Sequence, residues 1–277
     1  ARLIRHMIGD ELKEERARPA GSRAARSALP VLRVENIRMG SMVNNMSFSI
    51  FPGEITGIAG LIGSGRSEVA KVIMGHTRRN FGGGRIWLDG REVRYALPAQ
   101  AVADGIAYVS EDRKAEGLIL LHSVLANAGI TVWKRLANAL GFLRDTTIAS
   151  RVGPVLKKLE VKTPSLDQTI GNLSGGNQQK VSVAKWIAAG VKLLIIDEPS
   201  VGIDIKTKAY LHDLIHELAE SGTAVLLITS DLTEMVDVAD RVAVMDGYRI
   251  QGLVENDRNY ERVSTAIMGL IHGRKAA

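Results

Sequence analysis

Short apolar runs alternate with amphipathic stretches along most of the chain, and this alternation predicts an α/β fold. Residues 31–40 and 44–60 alternate or run apolar as strands do, and the second segment leads into a glycine-rich loop. The runs at 191–200 (VKLLIIDEPS) and 223–231 (TAVLLITSD) are typical of buried strands in a parallel sheet. Between them, residues 206–222 have the period of an amphipathic helix. The pattern predicts a mainly parallel sheet wrapped by helices.

Two hairpins and a helical middle complete the expected architecture. Residues 82–93 predict a hairpin with its turn at Asp89 and Gly90, and residues 241–250 predict a second strand pair. Residues 111–190 are mostly helical in pattern and look like an insertion into the α/β core. Breaks in this middle segment are expected at Gly117, Gly141, Pro154 and Pro164.

Composition narrows the classes of function. Hydrophobic residues make up 45% of the 277 positions, which is enough for a well-buried core, and aromatic residues only 4%. So few aromatics argue against stacking platforms for single-stranded nucleic acid. There are no cysteines, which excludes disulfides and thiolate metal sites. The net charge of +6 fits an anionic ligand, nucleic acid, an anionic membrane surface or merely a mildly basic protein. No run reaches the roughly 18 apolar residues of a membrane helix.

The glycine-rich loop, residues 60–68 (GLIGSGRSE), is one residue away from a phosphate-binding pattern. That pattern is G-x-x-x-x-G-K-[ST], and here Arg66 stands at the lysine position. Backbone N–H groups of such a loop and of the following helix cradle phosphate oxygens, and Ser67 would place its hydroxyl on Mg²⁺. The candidate phosphate contacts are Gly60, Gly63, Ser64, Gly65, Arg66, Ser67 and Glu68.

Two adjacent carboxylates follow the buried run LLII. Asp197 and Glu198 would lie at the carboxyl edge of the sheet, where open α/β folds bind their ligands. Asp197 could hold Mg²⁺ through water, and Glu198 could polarise an attacking water. The alternative is a strand end that carries two solvated acids.

A second anion site is indicated by residues 173–180 (LSGGNQQK), hereafter the signature segment. Ser174 and the N–H groups at the start of the following helix can bind an anion, although an ordinary serine N-cap would have the same sequence. The candidate residues are Leu173, Ser174, Gly175, Gly176, Asn177 and Gln178.

His212 and His216 lie one helical turn apart and form a possible metal pair. No third ligand is evident in the sequence. A solvated helix face is therefore the favoured interpretation of these two residues.

The order of these motifs resembles an ATP-binding cassette domain over residues 29–269. The segments GLIGSGRS, LSGGNQQ, LLIIDEP, VGID and ITSD match that family's Walker A, signature, Walker B, D-loop and switch segments. More narrowly, YVSEDRKAEGL together with LSGGNQQK and GRS resembles the second cassette of tandem ATP-binding subunits of bacterial monosaccharide importers. The resemblance implies a P-loop NTPase-type core with an antiparallel β subdomain and a helical insertion subdomain, and it implies ATP and Mg²⁺ as cofactors.

Four positions depart from the family pattern. Cassettes usually have lysine in place of Arg66, glutamine near Glu111, histidine at Ser230 and an adenine-stacking aromatic near Met39. Glu198 is retained, so the resemblance makes Glu198, Ser230 and Glu111 the candidate catalytic residues. Arginine is planar and bulky whereas an ammonium group is compact, so Arg66 need not fit the lysine pocket. The expected result is a site that binds nucleotide and hydrolyses it poorly.

The resemblance also suggests a domain organisation. Residues 1–28 would be the tail of an upstream cassette and a charged linker, with a short helix at 3–12. The tripeptide MIG at 7–9 is similar to IMG at 267–269, which favours a related upstream domain. Coincidence between such short strings is the alternative. Residues 29–277 would form the cassette. Its α/β core would comprise 29–110 and 181–269, and its helical and signature subdomain 111–180.

In the resembling family, ATP lies between the Walker A motif of one cassette and the signature of another. The implied partners are an upstream cassette of the same polypeptide or a second cassette, and transmembrane permease subunits that would contact residues 118–131. A periplasmic sugar-binding protein would be an indirect partner. The resemblance implies no nucleic-acid partner. The implied location is the cytoplasmic face of the bacterial inner membrane. Two functions remain open: an ATPase that powers sugar import, or a nearly inactive cassette that completes a partner's site. A nucleic-acid repair cassette is less favoured because no coiled-coil or zinc insertion is evident.

Overall fold

The computed structural model describes residues 29–41, 43–77 and 83–272. The segment 1–28, with its expected helix, and residues 273–277 lie outside the described residues. Within the described part, none of the helices is both long and apolar enough to cross a bilayer.

A six-stranded sheet forms the centre of the described residues, in the order β10-β9-β3-β8-β7-β6. All neighbours are parallel except β10, which pairs antiparallel with β9 as the expected second hairpin. The adjacent strands β3, β8 and β7 therefore end at one edge of the sheet. The strands are β3 (Ile55–Gly60), β6 (Ile106–Val109), β7 (Leu193–Asp197), β8 (Ala224–Ile228), β9 (Arg241–Asp246) and β10 (Arg249–Glu255).

A separate antiparallel sheet has the strand order β2-β1-β4-β5 in the described residues. Its strands are β1 (Leu32–Met39), β2 (Val43–Ile50), β4 (Arg85–Leu88) and β5 (Arg91–Val93). The predicted turn between β4 and β5 is confirmed, since Asp89 (φ 49°) and Gly90 (φ 77°) both have the left-handed conformation that two-residue hairpins favour.

Helices cover both faces of the central sheet, which confirms the predicted α/β fold with an antiparallel subdomain and a helical insertion. They are α1 (Arg66–Ile73), α2 (Pro98–Ala103), α3 (Val124–Gly129), α4 (Trp133–Leu136), α5 (Asp145–Lys158), α6 (Gly175–Ala189), α7 (Ile205–Glu220), α8 (Leu232–Val238) and α9 (Tyr260–His272). A π-helical turn spans Arg113–Gly117 and a 3₁₀ turn spans Ile170–Asn172. One apolar cluster packs the helical insertion onto the sheet, and a second packs α1 and the antiparallel sheet onto its other face.

The break expected at Pro154 is wrong, because this proline lies inside α5. Proline in a helix interior costs about 3 kcal/mol. The opposing gain comes from Ile148, Val152 and Leu156, which are buried at four-residue spacing on one face of the helix as it packs against α6. Tertiary packing outweighs the local propensity here.

Helix α6 carries the signature segment at its start and runs without interruption across residue 180. It ends at Gly190, whose φ of 66° gives the left-handed C-cap that glycine adopts without strain. The expected boundary between helical subdomain and core therefore falls within one helix rather than between elements.

Candidate functional site

The glycine-rich loop connects β3 to α1 with a backbone that only glycine adopts easily. Gly63 (φ 80°) and Gly65 (φ 95°) are left-handed, and Gly65 is the N-cap of α1. At Gly60, a Cβ would approach the Ser64 hydroxyl to 2.7 Å and would collide with the Met245 carbonyl. The loop is thus packed tightly against β9 and leads directly into the start of a helix, where backbone N–H groups can bind phosphate.

Two buried oxygen atoms at this edge of the sheet fit a polar ligand. Within the described residues, Ser64 Oγ and Asp197 Oδ1 are buried and accept or donate no hydrogen bond. Buried polar atoms are nearly always satisfied in folded proteins. A nucleotide phosphate with its metal ion would supply the missing partners, so the residues present fit Mg²⁺ and ATP.

Arg66 does not extend into solvent but is buried, with 8% of its surface exposed. Its Nη1 donates to the carbonyl oxygen of Thr229 at 2.7 Å, and its Nη2 lies 3.5 Å from Glu198 Oε1. The guanidinium therefore bridges the ends of β7 and β8. The structure brings Arg66 and Glu198 together in an ion pair that the sequence did not predict.

Glu198 is held on two sides. Its backbone has a left-handed φ of 47°, which costs a non-glycine residue about 1–3 kcal/mol. Besides the ion pair, Glu198 Oε2 accepts a hydrogen bond from Ser230 Oγ at 3.2 Å, and Thr229 Oγ1 lies 3.4 Å from the same oxygen. Ser230 is exposed. The predicted catalytic residues Glu198 and Ser230 are therefore neighbours.

Asp197 is buried beside the loop, and Tyr108 on β6 donates to its Oδ2 at 2.9 Å. Burial is the largest cause that raises the pKa of the Asp197 carboxyl to about 6; the nearby Ser67 hydroxyl and the Tyr108 hydrogen bond oppose the rise, and the charges of Glu111 and Glu198 add to it. Burial also raises the pKa of Tyr108 well above its usual value, and the Asp197 charge adds to this shift. The residues predicted for metal binding, Ser67 and Asp197, thus lie together.

Two predicted residues have a more peripheral place. Glu111 is exposed at the end of the loop after β6, and its charge reaches Asp197. Glu68 lies half-buried in the first turn of α1, where an acid complements the helix dipole.

The signature segment begins α6 with the serine N-cap that the sequence left open. Ser174 Oγ accepts from the Asn177 backbone N–H at 3.4 Å and from its side-chain amide at 3.0 Å. Gln178 is buried and donates to the Leu173 carbonyl at 3.0 Å. At Gly176 a Cβ would lie 2.9 Å from Thr207 Oγ1 on α7, so glycine permits close helix packing. The cap does not exclude anion binding, since Ser174 is exposed.

The two predicted anion sites are separate in this chain. Among the described residues, no hydrogen bond or ion pair joins the signature segment to the glycine-rich loop at residues 60–67. A ligand held by both segments of one chain is therefore not indicated by the contacts.

The solvated face expected for His212 and His216 is wrong, because both side chains are buried. His212 Nε2 lies 2.8 Å from Glu234 Oε1, and Glu234 is fully buried on α8. The described residues contain no group of three or more histidines and acids placed to hold a metal ion. His212 thus packs in the interior against a buried carboxylate.

Glu234 also connects the site to the loop that follows β7. Its Oε2 accepts from Thr229 Oγ1 at 2.6 Å and from Ser200 Oγ at 3.2 Å. Sequence reasoning missed Glu234, Tyr108 and Thr229. Of these three residues, Tyr108 could have been identified from the sequence, because its hydroxyl group lies near the carboxyl end of an apolar strand.

We expect Glu234→Gln to destabilise the fold by about 1–3 kcal/mol, because a neutral amide cannot accept from His212, Thr229 and Ser200 together. Burial alone would raise the pKa of Glu234, but hydrogen bonds from His212 and Thr229 outweigh it and the net pKa is lowered. A carboxyl with a depressed folded-state pKa stabilises the protein above its unfolded pKa, and this contribution is lost as the pH falls through the folded value.

Urea unfolding at neutral pH and below pH 4.5, the ordinary value for this carboxyl, measures the effect. The difference between wild type and Glu234→Gln should shrink in acid. Glu92→Gln, at an exposed strand position, is the matched control. An equal loss of stability in both variants, or a pH-independent difference, would contradict the network.

Comparisons with known proteins agree on one family. The family described as "ABC transporter" matches residues 43–201. The chain is 39% identical over 259 residues to the "Ribose import ATP-binding protein RbsA" of Caldanaerobacter subterraneus, covering 94% of this chain and 51% of the relative. It is 40% identical over 256 residues to a "Putative ribose/galactose/methyl galactoside import ATP-binding protein 1" of Rhizobium etli, covering 91% and 47%. The chain thus spans about half the length of these relatives.

Solved structures share the fold. A nucleotide-free ATP-binding cassette from an ABC transporter superposes with a TM-score of 0.73 at 21% identity, covering 87% of this chain and 98% of that one. A dimeric post-hydrolysis cassette bound to ADP and Pi superposes with a TM-score of 0.70 at 22% identity, covering 81% and 98%.

Proposed function

The chain belongs to the ABC transporter family, and from this premise we propose that it is the second cassette of the ATP-binding subunit of a bacterial sugar importer. Relatives named as ribose and galactose import ATP-binding proteins support the substrate class. The position as second cassette is supported by the motifs YVSEDRKAEGL, GRS and LSGGNQQK. The proposed upstream segment is 1–28, and the proposed cassette is 29–277.

The cassette is proposed to bind Mg²⁺ and ATP at the edge formed by β3, β7 and β8. Ser67 and Asp197 would hold the metal ion, and the N–H groups of residues 60–67 would hold the phosphates. Mg²⁺ would offset the phosphate charge during hydrolysis. The unpartnered Ser64 Oγ and Asp197 Oδ1 support this assignment.

We propose that hydrolysis at this chain's own loop is weak, and the Arg66–Glu198 ion pair carries this proposal. The acid expected to position water is held by a protein cation, and the cation expected on the phosphates is engaged by Glu198 and the Thr229 carbonyl. Ser230 replaces the usual histidine and donates to the same carboxylate. Productive hydrolysis would require this closed set of contacts to open first.

The intact signature segment is proposed to serve a partner cassette. Ser174 is exposed at the N-terminus of α6, where serine and free N–H groups can bind the terminal phosphate of a nucleotide held elsewhere. The same observations favour a second candidate function, a largely non-hydrolysing cassette that completes the partner's site. The two candidates differ only in whether the loop at 60–67 turns over ATP at all.

The proposed docking segment for the permease is residues 118–131, and the cassette would then act at the cytoplasmic face of the inner membrane. Apolar side chains of this segment lie on the surface: Ile119 is 43% exposed, Leu121 89% and Ile130 38%. Exposed apolar groups in a cluster mark interaction surfaces. A second cassette and, indirectly, a periplasmic sugar-binding protein are the other proposed partners.

The double variant Arg66→Lys with Ser230→His is expected to raise ATP hydrolysis at this loop about tenfold. Arg66→Lys replaces the planar guanidinium by a compact cation, so Glu198 loses its ion pair with the guanidinium. Ser230→His adds a hydrogen-bond donor near the terminal phosphate. The measurement is single-turnover hydrolysis of the ATP bound at residues 60–67 in the complete protein assembled with its permease, with each single variant as a control. Unchanged activity in folded double variant would show that these two positions do not limit hydrolysis.

A further inference from the structure

Arg113 joins three segments of the chain: the turn after Glu111, the D-loop and the start of α6. It is the first residue of the π-helical turn that follows Glu111, and its side chain is half-buried. Its Nη1 donates to the Val201 carbonyl at 3.0 Å and its Nη2 to the Gly202 carbonyl at 3.4 Å. Both carbonyls belong to the D-loop, VGID at 201–204. The planar guanidinium fork thus spans two successive carbonyls, which a single ammonium group cannot do at once.

The signature helix touches the same guanidinium. A Cβ at Gly175 would lie 2.8 Å from Arg113 Nη2 and 3.0 Å from the Gly202 carbonyl oxygen. A side chain at Gly175 would therefore force the arginine off the D-loop. The start of α6, the D-loop and Arg113 meet at one point, next to Ser174.

Arg113 is held by carbonyl groups rather than by an acid. Among the described residues, no carboxylate forms an ion pair with it, and its Nε is buried without a hydrogen-bond partner. Hydrogen bonds from a guanidinium to carbonyl oxygens form only when those carbonyls are correctly placed, because the bonds weaken steeply when the angle or distance changes. An ion pair would tolerate such displacements better.

The rest of the same turn is anchored to other parts of the cassette. Glu116 pairs with Lys71 on α1 at 3.2 Å and accepts from Ser110 at 2.6 Å. The Gly117 carbonyl accepts from Lys185 on α6. A movement of the segment after Glu111 is thus transmitted to the helix behind the glycine-rich loop and to the signature helix together.

We infer that Arg113 is a positioning residue, which locks the D-loop to the start of the signature helix and ties both to the Glu111 segment. This inference rests on the proposed function, in which Ser174 serves a partner's ATP. Arg113 would set the shape of the surface that this cassette offers to that nucleotide. Its guanidinium is engaged by the D-loop carbonyls and not by the loop of residues 60–67, so its loss should lower the rate of hydrolysis without weakening ATP binding at that loop.

The test uses the complete protein assembled with its permease, and compares Arg113→Ala and Arg113→Lys with wild type. Both variants should lower kcat about tenfold or more, with KM for ATP changed less than about twofold, and lysine should restore little. Gly175→Ala should lower kcat in the same way, and the double variant Arg113→Ala with Gly175→Ala should be no slower than the worse single variant.

The matched control is Arg151→Lys, since Arg151 also donates to a carbonyl of α6, at Ala188 with 3.0 Å, but at the helix's opposite end. It should leave kcat at the wild-type value. Wild-type kcat in the Arg113 variants, or a loss shared equally by Arg151→Lys, would overturn the inference. Absence of ATPase activity in wild type itself would instead overturn the proposed function.

Discussion

Ser174→Arg is expected to lower the ATPase activity of the complete transporter by about a hundredfold or more, whereas Arg66→Ala leaves it within about tenfold of wild type. Arginine at position 174 would place a bulky side chain at the exposed start of α6, where the proposed function places the partner's terminal phosphate. Alanine at position 66 would remove a guanidinium that is already engaged by Glu198 and the Thr229 carbonyl.

Activity and sugar uptake measured on both variants at equal expression give the ranking. Ser221→Arg is the control for the bulk of arginine, because Ser221 is exposed at the far end of α7. Circular dichroism and thermal unfolding check the fold of each variant. The reverse ranking would mean that the loop at 60–67 is the working site and that arginine serves there as well as lysine.

Glu198→Gln is expected to increase nucleotide-dependent association of cassettes by at least about tenfold and to slow any hydrolysis at this site. The amide keeps the shape of the side chain and removes the charge that repels phosphate. It also releases Arg66 from its ion pair, so the guanidinium becomes available to the nucleotide.

Sedimentation of the complete protein with and without Mg–ATP measures this association. Glu217→Gln is the matched control, since it removes an exposed ion pair with Lys158 far along α7. No nucleotide-dependent association in Glu198→Gln would show that this site does not close around ATP as proposed.

The fold was predictable where local pattern and tertiary environment agree. The apolar runs LLII before Asp197 and AVLLI after Thr223 became β7 and β8, because continuous apolar runs of this length are typical of strands in a parallel sheet covered on both faces. The turn at Asp89 and Gly90 followed from two residues that accept positive φ. The helix break predicted at Pro154 was wrong because the packing of α5 outweighs the cost of one lost hydrogen bond.

The site was predictable in its members but not in its contacts. Arg66, Glu198 and Ser230 were found from motif order, yet their mutual engagement depends on the adjacency of β3, β8 and β7. His212 was misjudged because its partner Glu234 is 22 positions away on another helix, and helical spacing carries no information about it. Arg113 lies in the segment YVSEDRKAEGL that carried the family resemblance, but nothing in its local sequence identifies its carbonyl partners at Val201 and Gly202, 88 and 89 positions away.

The central claim is that this chain gives its signature to a competent partner site while its own loop hydrolyses ATP poorly. The most direct test measures which of the two phosphate-binding loops hydrolyses its ATP in a single turnover. Photo-crosslinkable ATP is loaded on the complete transporter and one turnover is allowed. The nucleotide crosslinked to each loop is then identified after digestion. The account predicts ATP still intact at residues 60–67 of this chain when the partner's loop already holds ADP. ADP forming at residues 60–67 as fast as at the partner's loop, or faster, would contradict it.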